Sequence, residues 1–266
     1  MSLHVQEYGN PNAPSLVFLH ALGFSSWMWT AQIEALQSDF HCLTIDLPAN
    51  GESYRTEWQS FRHTADLIAP IIQQRTAQGK AHLIGLSLGG YAALHMLAAY
   101  PDLLESVLVS GVTAHPFKPV WRWITAVTVP LMTWRPLATF NARIMGRLMQ
   151  LPPEVAPLYL RDAQRASRRS YARVYAEVLT FEAAPSAAHK RLLVVAGDQE
   201  VRTIQESLRT FAAFPNTQAA LVPKAHHAWN GEQPELFTEM IRAWVNYADL
   251  PSALQVVQPA AQPVIA

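Results

Sequence analysis
The chain has 266 residues, half of them apolar, with twenty Lys and Arg balanced by twenty Asp and Glu. That length buries one large core, and a net charge of zero lacks the basic excess of a nucleic-acid binder. Cys42 is the only cysteine, so an intramolecular disulfide and a cysteine-based metal cluster are both excluded.

The start of the chain, Met1 to Tyr8, has no basic patch followed by an apolar run, as a signal peptide would. Leu3 to Tyr8 reads as an antiparallel edge strand, and the branched run Ser15 to Leu19 as a buried strand, followed by a helix near Trp27 to Leu36. Strand His41 to Ile45 and helix Phe61 to Gln74 come next, then strand Ala81 to Leu86 and a helix from about Gly89 to Ala99 that Pro101 stops. Further strands are expected at Val107–Val109, Leu192–Ala196 and Gln218–Val222, with helices near Thr203–Phe214 and Pro234–Tyr247. Such alternation predicts an α/β fold, a mostly parallel central sheet with helices on both faces.

The alternation stops between His115 and Ala188, where eight prolines and helical spacing replace strand-like runs. This stretch is too long for a bare loop and predicts an inserted helical cap. The resulting organisation is a core of residues 1–114 and 189–248, a cap of 115–188 and a flexible tail of 249–266. The cap carries a formal charge of about +6 and the remainder about −6. Arg161, Arg165, Arg168, Arg169 and Arg173 stand at helical spacing and read as a solvated outer face, with attraction of an anionic substrate or a membrane surface toward the lid as the alternative. The longest apolar stretch, Trp123 to Trp134, is too short to span a bilayer and is broken by Pro130. A cytoplasmic protein without a transmembrane segment is expected.

Gly85-Leu86-Ser87-Leu88-Gly89 lies between a predicted strand and a predicted helix. A hydroxyl is a weak nucleophile unless a base activates it and the backbone holds it exposed. A sharp strand-to-helix turn does this, but it crowds the positions two residues either side, where Gly85 and Gly89 stand. On this motif and context the chain resembles the α/β-hydrolase family, from about Leu3 to Tyr247. The resemblance implies a nucleophile–acid–histidine order. His227, ahead of Glu232-Gln233-Pro234-Glu235, aligns with the family's catalytic histidine, and His226 is the lesser candidate. The acid aligns with Glu200, three residues beyond Gly197, with Asp198 as competitor. The loop after the strand ending near Ser110 offers no carboxylate.

The resemblance also implies an oxyanion hole from the backbone N–H groups of Leu22 and Leu88, with Ala21 where the family has glycine. His20 reads as a loop-orienting residue. Asp46 to Ser53 reads as a structural turn, again with Ala49 in place of a glycine. Ser87 implies acyl transfer to a serine, not the epoxide or halide chemistry that needs a carboxylate at the elbow.

Adjacent histidines and the lack of a Gly-x-Gly-x-x-Gly run predict neither a metal nor a nucleotide cofactor. Phe117, Trp121, Trp123, Leu131, Met132 and Trp134 suggest an apolar substrate pocket under the cap. The expected partner is a small-molecule substrate and not nucleic acid. A small carboxylic ester is the first expectation, a lactone or a carbon–carbon bond beside a ketone the second. A ligand-binding receptor with a vestigial triad is the reading from another class.

Overall fold
The computed structural model of the protein describes residues 2–148, 153–184 and 190–259. Eight strands form one sheet in the order β1-β3-β2-β4-β5-β6-β7-β8: β1 Val5–Tyr8, β2 Ser15–Leu19, β3 His41–Ile45, β4 Ala81–Leu86, β5 Leu104–Ser110, β6 Arg191–Gly197, β7 Thr217–Val222 and β8 Gln255–Val256. The six inner strands run parallel, and β1 and β8 close the two edges antiparallel.

Alternation along the inner strands divides the core into two layers. Val17, Leu83, Val107 and Val194 face one side, with α2 (Phe61–Arg75), α3 (Leu88–Ala99) and α8 (Arg202–Ala212). Phe18, Ile84, Leu108 and Val195 face the other, against α1 (Thr30–Leu36) and α10 (Pro234–Val245). Because both faces are covered, β2, β3 and β4 are buried at every position. Truncating one of these buried side chains to Ala costs about 2–5 kcal/mol.

From β2 the chain crosses to β3 on one side and then returns to β4 on the other. That reversal opens a crevice at the carboxyl ends of β2 and β4, the usual ligand position in such sheets. Leu19 pairs with Gly85 there, so the loops carrying Leu22 and Ser87 leave the sheet side by side.

Among the described residues, four helices lie between β5 and β6: α4 Val120–Met132, α5 Arg135–Leu148, α6 Ala156–Arg165 and α7 Arg168–Val178. The arginine row does not form a solvated outer face. Arg165 lies 2.7 Å from Glu52 and over the Tyr54 ring, and Arg161 lies 3.6 Å from Glu52. Arg169 and Arg173 reach Glu57 at 3.7 and 3.6 Å, and Arg173 also donates to Trp58 O. Only Arg168 of the five stands exposed without such a bond among the described residues. The opposite charges of cap and core therefore meet across their seam, a pattern that helical spacing cannot reveal. Two cap carboxylates reinforce the seam. Asp162 accepts from Ser25 Oγ and Trp27 Nε1, and Glu177 from Trp58 Nε1 and the Phe61 amide.

The carboxyl-terminal segment also departs from expectation. Leu254 is buried, Gln255 and Val256 pair with Leu221 and Ala220, and the Val257 amide donates to Ala219 O. A two-residue strand leaves no periodic signal, so composition alone suggested a flexible tail. Residues 260–266 of that segment lie outside the described residues, as do 185–189 at the expected cap boundary and the side chain of Met132.

Candidate active site
Ser87 occupies the turn between β4 and α3 at φ +54° and ψ −113°. A non-glycine residue there is strained by about 1–3 kcal/mol, which only surrounding structure can sustain. The Ser87 amide donates to Ser110 O at 2.8 Å and the Gly89 amide to His20 O at 3.0 Å, pinning both sides of the turn. Glycine is required at the neighbouring positions by close approach. A β-carbon on Gly85 would lie 2.7 Å from Gly90 N, and one on Gly89 would lie 2.8 Å from Leu19 Cβ.

His227 follows β7 in a loop held by Asn230, Trp229 and Gln233. Asn230 Nδ2 donates to Met28 O, Trp229 Nε1 to Ser110 Oγ, and Gln233 Nε2 to Pro223 O. His227 Nδ1 lies 2.7 Å from Glu200 Oε2. A carboxylate can only accept, so Nδ1 carries the proton of this bond, and Nε2 is the ring nitrogen left outside it. The Glu200 carboxylate is completely buried, whereas the imidazole is 39 % exposed. Glu200 Oε1 also accepts from the Gly197 amide, and its carbonyl from Gln205 Nε2.

The competing residues point elsewhere. Asp198 accepts from Gln199 Nε2 at 3.0 Å, and hydrogen bonds, first from the Lys224 amide, hold its carboxyl below the usual range. His226 is mostly exposed and turns to Glu232 at 3.2 Å.

Leu22 and Leu88 line the same cavity as Ser87 and His227, and neither amide has an acceptor among the described residues. Leu88 opens α3, where a helix always leaves its first N–H groups unpaired. The Leu22 loop is fixed by His20, whose Nδ1 donates to Ala21 O while Nε2 accepts from the Leu47 amide. Burial pushes the His20 imidazole below its ordinary pKa, consistent with a neutral ring bridging two backbone groups. Asp46 likewise organises its turn, accepting from the amides of Ser26 and Glu52.

The cavity measures about 250 Å³. Its floor holds Ser87 and His227, and its roof comes from Tyr159 on α6 and Tyr171, Val174, Tyr175 and Val178 on α7. The expected tryptophan lining is not found there: Trp121, Trp123 and Trp134 are exposed on the cap's outside. No hydrogen bond joins Ser87 to His227 among the described residues, and such bonds often tighten only when substrate arrives. No group of three or more His, Cys, Asp or Glu is placed to hold a metal among the described residues.

Gly111 is the residue that sequence reasoning passed over. At φ +70° it lies beneath the imidazole, where an added β-carbon would come 2.7 Å from His227 Cε1 and 2.9 Å from Nδ1. The loop without a carboxylate thus supplies the flat seat on which the His227–Glu200 pair rests.

A comparison with curated proteins finds 25% identity over 268 residues with an AB hydrolase superfamily protein of Gibberella zeae, covering 93% of this chain and 86% of that one. A pimeloyl-[acyl-carrier protein] methyl ester esterase of Vibrio campbellii is 28% identical over 165 residues, 62% of each chain. Among solved structures, a thermophilic esterase from Thermogutta terrifontis superposes with a TM-score of 0.76 at 23% identity, covering 92% of this chain and 93% of that one. The profile of the Alpha/beta hydrolase family matches residues 16–240, and with an elbow, sheet order and late histidine of this kind the chain belongs to that family.

Proposed function
We propose that the protein is a serine hydrolase that cleaves a small, largely apolar carboxylic ester through an acyl-enzyme. Ser87 Oγ attacks the carbonyl carbon, and His227 Nε2 takes the hydroxyl proton. Glu200 holds the imidazole in the Nδ1–H form and stabilises the imidazolium as it develops. The oxyanion accepts from the Leu22 and Leu88 amides, each such donor contributing about 3–4 kcal/mol to the transition state. His227 returns the proton to the departing alcohol, then activates the water that frees the acid and Ser87.

The observation carrying this reading is the part-buried Glu200–His227 hydrogen bond, ending in a cavity that also holds the strained serine. A cavity of about 250 Å³ lies at the small end of ligand sites, which supports a short acyl or alcohol group over a long one. The esterase names of the relatives agree with an ester substrate.

Ser87→Ala is expected to abolish turnover of chromogenic short-chain esters and labelling by a fluorophosphonate, with the thermal midpoint nearly unchanged. Activity of that variant within about tenfold of the parent would remove the nucleophile from the scheme. Steady multiple turnover, as opposed to a single burst with retained ligand, separates the enzyme from a receptor.

A further inference from the structure
Of the eight tryptophans, three are exposed, and Trp121, Trp123 and Trp134 all belong to one short stretch of the cap. Their neighbours follow them outward: Trp123 leaves 78% of its surface in solvent, Val127 63% and Phe140 59%. Helix α4 covers its opposite side, where Val129 is buried, and α5 turns Asn141 and Ala142 inward to the Ser87 cavity. Asn141 Nδ2 donates to Leu131 O at 3.1 Å and ties the two helices together. Single exposed apolar residues are ordinary, but a helix pair with an outward apolar face marks an interaction surface.

Charge decides the occupant. Between Glu105 and Glu154 the sequence has no Asp or Glu, while Lys118, Arg122, Arg135, Arg143 and Arg147 all fall in that interval. Lys118, Arg122 and Arg143 are exposed. A second copy of the chain meeting this face symmetrically would set cation against cation, which disfavours a dimer. Indoles that prefer an interface, together with cations in a stretch of sequence without Asp or Glu, match a layer of anionic headgroups over hydrocarbon. No helix among the described residues is long and apolar enough to cross a bilayer, so the contact is with its surface.

We propose that the α4–α5 face of the cap docks on anionic lipid bilayers, with Trp121, Trp123 and Trp134 lying in the headgroup layer. The full chain is floated with vesicles of equimolar phosphatidylglycerol and phosphatidylcholine, and with vesicles of phosphatidylcholine alone. Flotation with the anionic vesicles only, a blue shift of tryptophan emission, and release by about 0.5 M salt are expected. The double change Trp123→Glu and Val127→Glu lowers binding by about tenfold or more. Ser87→Ala binds like the parent, so docking is read separately from chemistry. Equal flotation with neutral vesicles, or no flotation, overturns the proposal without any variant. So does a dimer in light scattering that Trp123→Glu disperses while no lipid is bound.

Discussion
Gly111→Ala tests how the histidine is held without changing the identity of any reacting group. The new β-carbon would stand 2.7 Å from His227 Cε1, so the ring must retreat by about 0.8 Å to reach an ordinary carbon–carbon contact. That movement lengthens the 2.7 Å bond to Glu200 and shifts Nε2 relative to Ser87. A displacement of about 1 Å in a reacting group costs on the order of 10²-fold in rate, or about 2.7 kcal/mol of transition-state stabilisation. The positive φ adds about 1–2 kcal/mol of destabilisation. Ester turnover should therefore fall about 10²-fold in kcat/KM, and the denaturant midpoint should fall modestly. Because Glu200→Gln acts through the same imidazole, the double variant should lose less than the product of the two single effects. A folded Gly111→Ala protein with turnover within about threefold of the parent would refute the seat, and so would full additivity with Glu200→Gln.

Glu200→Gln is expected to lower kcat by about 10³–10⁴-fold, the scale set by losing the tautomer-fixing carboxylate, while Asp198→Asn keeps most activity. Parallel ester assays check the pair, and loss confined to Asp198→Asn would reverse the assignment. Ala49, buried in the Asp46–Ser53 turn at φ +66°, should gain about 0.5–1 kcal/mol on change to Gly, read as a higher denaturant midpoint at constant slope. Burial pushes the His82 imidazole down to about 4, below the ordinary value the unfolded chain retains. The unfolded state therefore gains the proton first, and stability that is full above about pH 6.5 is lost as pH falls towards about 4, by up to about 1.4 kcal/mol per pH unit. His82→Gln should flatten this slope in denaturation curves taken from about pH 7 to about pH 4.5, and an unchanged slope would exclude His82 as a source.

Sequence was most informative where chemistry and backbone geometry are local. The elbow is legible because strand, glycines and helix lie within one short run, and the inner strands because burial on both faces leaves continuous branched residues. His227 and Glu200 were reached through family order, and their 2.7 Å contact spans 27 positions that no spacing rule connects. Gly111 carries no side chain to signal its role, which is visible only once His227 lies above it. Amphipathic spacing in the cap was also legible, but periodicity does not say which face is covered. The tryptophans that suggested a lining point away from the cavity, and the arginines that suggested a solvated face grip Glu52 and Glu57. Holding the Arg165 guanidinium so close keeps the Glu52 carboxyl below its usual range, a cross-seam effect with no counterpart in the linear pattern.

The short strand β8 adds little pairing energy, yet it occupies the flank of β7 that would otherwise offer free N–H and C=O groups to any passing chain. Together with the buried Leu254 it acts as a guard against sheet-to-sheet growth. Trimming the protein at the end of α10, a natural choice if the remainder is taken for a loose tail, would leave catalysis intact and uncover that flank. The cost would then appear during expression and storage, as aggregates seeded along one edge, and not in any rate constant.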